Sequence, residues 1–239
     1  MSYQNTFQRY ELKYLIGKSQ RDALKALMAA YMKGDDYGKT TVCNLYYDTP
    51  SRLLIRRSMD KPVYKEKLRV RSYGTARPGE TVFVELKKKY QSVVYKRRAA
   101  MTEREAMAYL QGKTKPCPGS QITREIDYFL RFYQELIPSV FLSYDREAFF
   151  AKDGSGFRVT FDQNILWREN KLSLCGGVGG SSLLKDGQVL MEIKTAGAIP
   201  LWLTGFLSEN QIYKTSFSKY GSAYQAILNS NRKGDTRCA

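Results

Sequence analysis

Charged and apolar residues alternate along several segments of this 239-residue chain, and this alternation limits the folds open to it. In the run KEKLRVR, every second residue is Lys or Arg, and Leu68 and Val70 stand between them. The cationic positions are Lys65, Lys67, Arg69 and Arg71. Since side chains of a β-strand point alternately to opposite faces, this pattern predicts a strand with one cationic and one apolar face.

The same division recurs in four other segments: QRYELKYLI, TVFVELKKK, FRVTFD and VLMEIKT. Their charged faces carry Arg9, Glu11 and Lys13; Glu85, Lys87 and Lys89; Arg158 and Asp162; and Glu192 and Lys194. A single strand of this kind is equally typical of an antiparallel sheet whose charged face is exposed to solvent. The Glu-x-Lys spacing recurs in three of these segments. This repetition favours one functional surface formed by several strands over an ordinary solvent-exposed face.

Strands dominate the predicted secondary structure, and helices are inserted between them without regular βαβ alternation. The predicted strands are 8–16, 41–48, 65–73, 81–88, 92–99, 140–150, 157–164 and 189–195. The predicted helices are 19–32, 102–110, 126–133, 200–209 and 218–228. The pattern predicts an α+β fold: a closed antiparallel β-barrel of about eight strands with helices packed outside. The charged faces would then line a tunnel with a basic lumen.

A formal charge of +16 fits such a lumen, because closely spaced cations require a polyanionic ligand. A chain of phosphates would fit a lumen of this kind, whereas duplex nucleic acid would need an exposed basic stripe, so we expect no specific nucleic-acid partner. The chain contains no histidine, which excludes His-dependent catalysis and leaves phosphoryl transfer as suitable chemistry. The lumen carboxylates could hold a hard cation, Mn²⁺ or Mg²⁺.

We predict one domain at residues 1–228 and a flexible polar tail at 229–239. Cys43, Cys117, Cys175 and Cys238 form no CxxC pair, and we expect free thiols. No signal-peptide pattern and no membrane-spanning apolar run is present, so the sequence predicts a cytoplasmic protein. The P-loop-like run at 34–40 is one residue too short, and we interpret it as a turn.

Taken together, eight short motifs resemble a known family. They are RYELKY, NLYYDTP, KLRVRSYG, VFVELKKK with YKRR, SYDREAF, FRVTFD, LMEIKT and SFSKY. The chain resembles the polyphosphate polymerase (VTC, vacuolar transporter chaperone) domain of the CYTH or triphosphate tunnel metalloenzyme superfamily. The resemblance covers residues 7–222 and implies a tunnel that binds ATP and inorganic polyphosphate, with the ATP γ-phosphate passing to the growing chain.

The resemblance also implies roles for individual residues. The phosphate-binding cations would be Lys13, Arg69, Arg71, Lys87, Arg146, Arg158, Lys194 and Lys219. Tyr144 and Ser218 would be smaller polar contacts, and Glu192 would coordinate the metal. Lys67 shares the lumen face without a secure match. Tyr144 could instead be a wall residue whose hydroxyl bonds a neighbour, and Asp162 could serve only to orient Arg158. Glu11 and Glu85 are better explained as salt-bridge partners that space the cations than as metal ligands.

Two departures from relatives affect the functional prediction. Hydrolytic and cyclase relatives begin with ExExK, whereas this chain has Arg9 at the first glutamate position. A cation there weakens activation of water and favours a polymerase over a metal-dependent triphosphatase or a non-catalytic binding module. Eukaryotic members carry membrane helices that this sequence lacks, so membrane association would require a separate membrane partner.

Overall fold

The computed structural model describes residues 10–91, 93–116 and 119–235. The strands are β1 (Tyr10–Gly17), β2 (Met32–Gly34), β3 (Thr40–Asp48), β4 (Tyr64–Tyr73), β5 (Thr81–Tyr90), β6 (Val93–Thr102), β7 (Ile137–Ala151), β8 (Arg158–Arg168), β9 (Ser181–Ser182) and β10 (Gln188–Thr195). The helices are α1 (Lys18–Met28), α2 (Leu53–Met59), α3 (Glu103–Leu110), α4 (Gln121–Tyr133), α5 (Leu201–Glu209) and α6 (Lys219–Asp235). The α+β prediction is confirmed.

All strand pairs are antiparallel and form one sheet in the order β1-β10-β8-β7-β3-β4-β5-β6. Two short strands lie off this path: β2 pairs with β7, and β9 pairs with β8. The predicted closed barrel is not confirmed, because no backbone pairing joins β1 to β6 in the described part of the chain. A side-chain contact joins β1 to the strand next to the other edge: Lys87 Nζ of β5 donates to Glu11 Oε2 of β1 at 3.2 Å. The sheet curves around a cavity whose wall is completed there by side chains.

Two apolar cores cover the outer face of this sheet, as strand alternation predicts. On one side, Leu68 and Val84 of β4 and β5 pack with Ile126 and Phe129 of α4 and with α3. On the other side, α1 and α5 pack on β1, β8 and β10. Burial of these apolar faces beneath helices leaves the charged faces on the concave side of the sheet.

The prediction that all helices lie outside is wrong for α6. Tyr220 and Ile227 of α6 pack against Val42, Leu142 and Tyr144, which share the concave face of β3 and β7. The concave face of these two central strands is apolar where the helix lies, so both of their faces are buried. Helix α6 therefore fills part of the inside of the curved sheet and brings its first residue to the cavity.

Three short elements, β2, α2 and β9, were not predicted. Helix α2 forms because Asp48, at the end of β3, accepts hydrogen bonds from the backbone N–H groups of Leu54 and Ile55 at 2.8 and 3.0 Å. These donors would otherwise lack partners at the start of a helix. The carboxylate that caps α2 belongs to the preceding strand. It is therefore not among the residues directly before the helix, where a capping residue is expected.

At both ends of the chain, the predicted elements and the described ones have different bounds. Gln8 and Arg9 of the first predicted strand lie outside the described residues. Helix α6 continues to Asp235, into the segment predicted as a tail, whose flexibility stays a prediction.

The P-loop-like run is a turn between β2 and β3, as predicted. Cys43 is a buried free thiol and Cys175 an exposed one, whereas Cys117 and Cys238 lie outside the described residues.

Candidate functional site

The concave side of the sheet encloses a cavity of about 560 Å³. All of the predicted site residues except Glu85 and Asp162 line it. They are Glu11, Lys13, Lys67, Arg69, Arg71, Lys87, Tyr144, Arg146, Arg158, Glu192, Lys194, Ser218 and Lys219. The structure thus gathers on one surface residues that the sequence spreads from β1 to α6.

Strand register places cations of β4 and β5 directly beside one another. Lys67 lies opposite Lys87, and Lys65 lies opposite Lys89. Directly opposed like charges destabilise a sheet. Burial of Lys67 and its lysine neighbours, Lys87 first, lower the pKa of its ammonium to about 7. Such repulsion is relieved when an anion enters the cavity.

Glu85, which is buried behind the cavity wall, is a hub for several of these cations. Its carboxylate contacts Arg69 Nη2 at 2.7 Å, Lys96 Nζ at 2.7 Å and Arg98 Nη2 at 2.6 Å. Burial acts to raise the pKa of Glu85, but Arg69, Arg71 and Lys96 outweigh it and hold the pKa well below its usual range. One buried carboxylate thus contacts three cations, and its role in spacing them stays a prediction.

Lys96 and Arg98 were not predicted as site residues, although Lys96 lines the cavity. The signal was present in the sequence, because YKRRA places Lys96 and Arg98 on the same face of β6, two residues apart. Lys96 lies directly opposite Lys87 in the register of β5 and β6. Burial lowers the pKa of Lys96 to about 8, although Glu85 acts in the opposite direction.

A second carboxylate hub joins β7, β8, β10 and α6. Glu192 Oε1 lies 3.0 Å from Lys219 Nζ, and Glu192 Oε2 lies 3.4 Å from Arg146 Nη2. Asp162 is fully buried and receives two hydrogen bonds from Arg146, each 2.6 Å long. Asp162 therefore orients Arg146 and Lys219 from behind the wall, and Arg158 is not among its ion-pair partners in the described chain.

The ammonium group of Lys194, next to this hub, loses its proton more readily than an ordinary lysine. Burial lowers its pKa to about 8, although Glu192, 3.8 Å from its Nζ, acts in the opposite direction. Glu11 differs, because its carboxyl pKa falls to about 2 despite burial, chiefly through Lys87. At neutral pH this part of the cavity holds two ionised carboxylates among several cations.

Tyr144 is a buried phenol among three cations. Its hydroxyl accepts a hydrogen bond from Arg71 Nη2 at 3.1 Å, and Lys219 Nζ lies 4.6 Å from its ring centroid. Burial opposes ionisation, but Arg146, Arg71 and Lys219 outweigh it and lower the pKa of Tyr144 to about 8. Arg71 is held in place by a second bond, 2.9 Å from Nε to Asn44 Oδ1.

The donor set restricts how a divalent cation could bind. In the described parts of the chain no three His, Cys, Asp or Glu side chains gather into a group able to hold a metal ion. Glu11 and Glu192 are cavity carboxylates, and Lys13 Nζ lies between them, 3.8 and 3.7 Å from their oxygens. Mg²⁺ is commonly held by one or two carboxylates together with substrate phosphates. The described cavity carboxylates do not form a metal site by themselves, so a cation bound there would need most of its ligands from a phosphate chain.

Fold and site together define an α+β protein whose curved antiparallel sheet presents Lys and Arg to an internal cavity. The VTC domain model matches residues 8–228, nearly the whole chain, and the chain belongs to this family. The resemblance found in the sequence is confirmed. Comparison with curated proteins finds no match.

Solved structures share the fold at low sequence identity. A candidate adenylate cyclase from Bacillus halodurans is 14% identical, with a TM-score of 0.53 over 88% of this chain and 95% of its own. A candidate adenylyl cyclase from Hippeastrum, described as having a dominant triphosphatase activity, is 16% identical, with a TM-score of 0.52 over 93% of this chain and 96% of its own. Both show that the chain shares their fold.

Within the described residues, none of the helices is both long and apolar enough to span a bilayer.

Proposed function

We propose that this protein is an ATP-dependent polyphosphate polymerase, which transfers the γ-phosphate of ATP to the end of a polyphosphate chain held in the cavity. The observation that supports this most strongly is the excess of cations on the cavity wall, where Lys67, Lys87 and Lys96 stand side by side on three adjacent strands. Such a wall suits a ligand with a negative charge at each repeating unit, as in a phosphate chain.

In the proposed reaction a terminal oxygen of the chain attacks the γ-phosphorus of ATP. A new P–O bond forms, the bond from the γ-phosphorus to the β,γ-bridging oxygen breaks, and ADP leaves with that oxygen. No general base is needed, because the attacking phosphate oxygen is already anionic. Phosphoryl transfer depends mainly on alignment and charge stabilisation, which Arg71, Arg146 and Lys194 would supply.

Mn²⁺ or Mg²⁺ is part of this proposal, with Glu192 as its protein ligand and phosphate oxygens as the others. Bound there, the cation would offset negative charge that develops near the β,γ-bridge. Lys219 and Arg146 hold the Glu192 carboxylate in a fixed position for this role. Tyr144, Ser218 and Lys67 would provide further contacts to phosphate oxygens.

The rival activity is hydrolysis of a triphosphate, the activity described for the Hippeastrum protein. The choice between them rests on Arg9, which lies outside the described residues and stands in the sequence where hydrolytic and cyclase relatives have a carboxylate. A cation there would bind phosphate and would not help to activate water. A non-catalytic polyphosphate or nucleic-acid binding module would use the same charge without turnover.

Incubation of the purified protein with ATP and Mn²⁺ tests the proposal. We expect long-chain polyphosphate, visible as a ladder on a polyacrylamide gel, together with ADP in equal molar amount to the phosphate incorporated. Steady release of free phosphate without polymer would move the assignment to the triphosphatase. Binding of duplex DNA that survives Lys194→Ala would favour the binding module. In the cell we propose a cytoplasmic location, with any membrane attachment through a separate partner.

A further inference from the structure

The concave face of β4 and β5 extends beyond the residues that line the cavity, and its two ends differ in chemistry. At one end the cross-strand pairs are Lys65 with Lys89 and Lys67 with Lys87. Towards the other end Arg69 faces Glu85, and Arg71 faces Phe83. We call Lys65 and Lys89 the lysine end.

Aromatic rings and guanidinium groups replace lysines at the opposite end. Arg98 Cζ lies 4.2 Å from the centroid of the Phe83 ring, and Arg98 Nη2 donates to the Tyr73 hydroxyl at 3.1 Å. Tyr73 and Phe83 meet edge to face at 5.9 Å. Across the cavity, Arg158 Cζ lies 4.6 Å from the centroid of the Phe150 ring. We call Tyr73, Phe83, Phe150, Arg98 and Arg158 the aromatic end.

Polar groups at the aromatic end lack partners. Arg158 Nε and Asp35 Oδ1 are buried and have no hydrogen-bond partner among the described residues. Burial and Arg146 lower the pKa of Arg158, and Asp35 and Tyr73 act in the opposite direction. Tyr73 is about half exposed and is therefore accessible to a ligand. Planar rings, guanidinium groups and an unpaired carboxylate oxygen are together suited to a nucleoside, which offers a π-face and hydroxyl or amino donors.

We infer that the aromatic end binds the nucleoside of the phosphoryl donor, and that the phosphate chain extends from the centre of the cavity towards the lysine end. The inference rests on the proposed function and adds a direction to it. The triphosphate would lie along Arg71 and Arg69, with the base against Tyr73 and Phe83. Since every base has a π-face, stacking at this end tolerates different bases.

Binding affinities test this without turnover. The ligands are a β,γ-imido analogue of ATP and inorganic tripolyphosphate, each titrated calorimetrically with Mn²⁺. We expect Tyr73→Ala to weaken the ATP analogue about tenfold, as loss of one base–aromatic stack does, and to leave tripolyphosphate unchanged. Tyr73→Phe keeps the ring and should retain the wild-type affinity. Tyr128→Ala, which removes an exposed ring from α4, is the matched control and should change neither ligand.

A second variant tests the direction. Lys89→Ala at the lysine end should weaken a long polyphosphate more than the ATP analogue. The inference is overturned if Tyr73→Ala weakens both ligands equally or neither, or if Lys89→Ala affects the ATP analogue more. In those cases the wild type still binds tripolyphosphate, and the proposed function stands. Failure of the wild type to bind either ligand would overturn the proposed function and the inference together.

Discussion

Lys219, the first residue of α6, donates from its ammonium to Glu192 Oε1 of β10 at 3.0 Å. Its Nζ also contacts Asp162 of β8, so one side chain joins the helix to two strands of the sheet. These two carboxylates raise the pKa of Lys219 in spite of burial. The contact fixes the start of α6 inside the curved sheet and keeps a cation at the centre of the cavity.

Lys194→Ala should reduce turnover of ATP by about a hundredfold, because its ammonium is part of the charge that stabilises the transferred phosphoryl group. Folding stability should change by less than about 1 kcal/mol, since burial already makes the charged form of Lys194 costly. Kinetic assays and thermal unfolding provide the two measurements. Lys113→Ala, an exposed lysine outside the cavity, is the control. Equal losses of activity in the two variants would contradict the role of Lys194.

Glu192→Gln should destabilise the free protein by about 3–5 kcal/mol, because removing one partner of a buried ion pair leaves charge uncompensated. Lys219, Arg146 and Lys194 would then repel one another more strongly. Tripolyphosphate in metal-free buffer should restore part of the lost stability by supplying negative charge. Thermal unfolding with and without this ligand measures the effect. A smaller ligand-induced rise of Tm in the variant than in the wild type would contradict it.

Binding of a phosphate chain should take up protons at Lys67, whose pKa of about 7 in the free protein should rise beside an anion. Affinity should therefore weaken as pH rises through 7 to 9. Lys67→Arg keeps its charge at all these pH values, so both the proton uptake and the weakening should be smaller. Calorimetry of tripolyphosphate binding in buffers of different ionisation enthalpy counts the protons. Equal uptake by the variant and the wild type would show that Lys67 is not the group that titrates.

Glu85 should make the fold sensitive to acid. Its folded-state pKa is lowered below the unfolded value, so its stabilising contribution is complete above about pH 4.5 and is lost as pH falls towards the folded pKa. Glu85→Gln should cost about 3–5 kcal/mol at pH 7 and remove part of the decline below pH 4.5. Urea unfolding from pH 7 to pH 3 gives both quantities. A variant curve parallel to that of the wild type would argue against this role.

Strand alternation in the sequence identified most of the side chains that line the cavity, although Glu85 and Asp162 do not line it. The positions of Lys67, Arg69 and Arg71 on one face of β4 follow from spacing alone, and burial of Leu68 and Val70 on the other face agrees with it. The same reasoning applied to YKRRA would have added Lys96 and Arg98.

Other features depend on contacts between distant segments and were beyond prediction from local patterns. The position of α6 inside the sheet is set by packing of Tyr220 and Ile227 on β3 and β7. Closure of a barrel depends on the stagger of all its strands, which no single strand reveals. The two carboxylate hubs likewise join residues from three or more elements. Helix α2 was missed because its cap, Asp48, belongs to a strand.

The central claim is that a phosphate chain binds inside the curved sheet against its row of cations. A crystal structure with tripolyphosphate and Mn²⁺ tests this most directly. We predict phosphates within hydrogen-bonding distance of Lys67, Arg71 and Lys194, and Mn²⁺ between Glu192 and phosphate oxygens. Tripolyphosphate bound on the outer surface, with the cavity free of ligand, would contradict the claim.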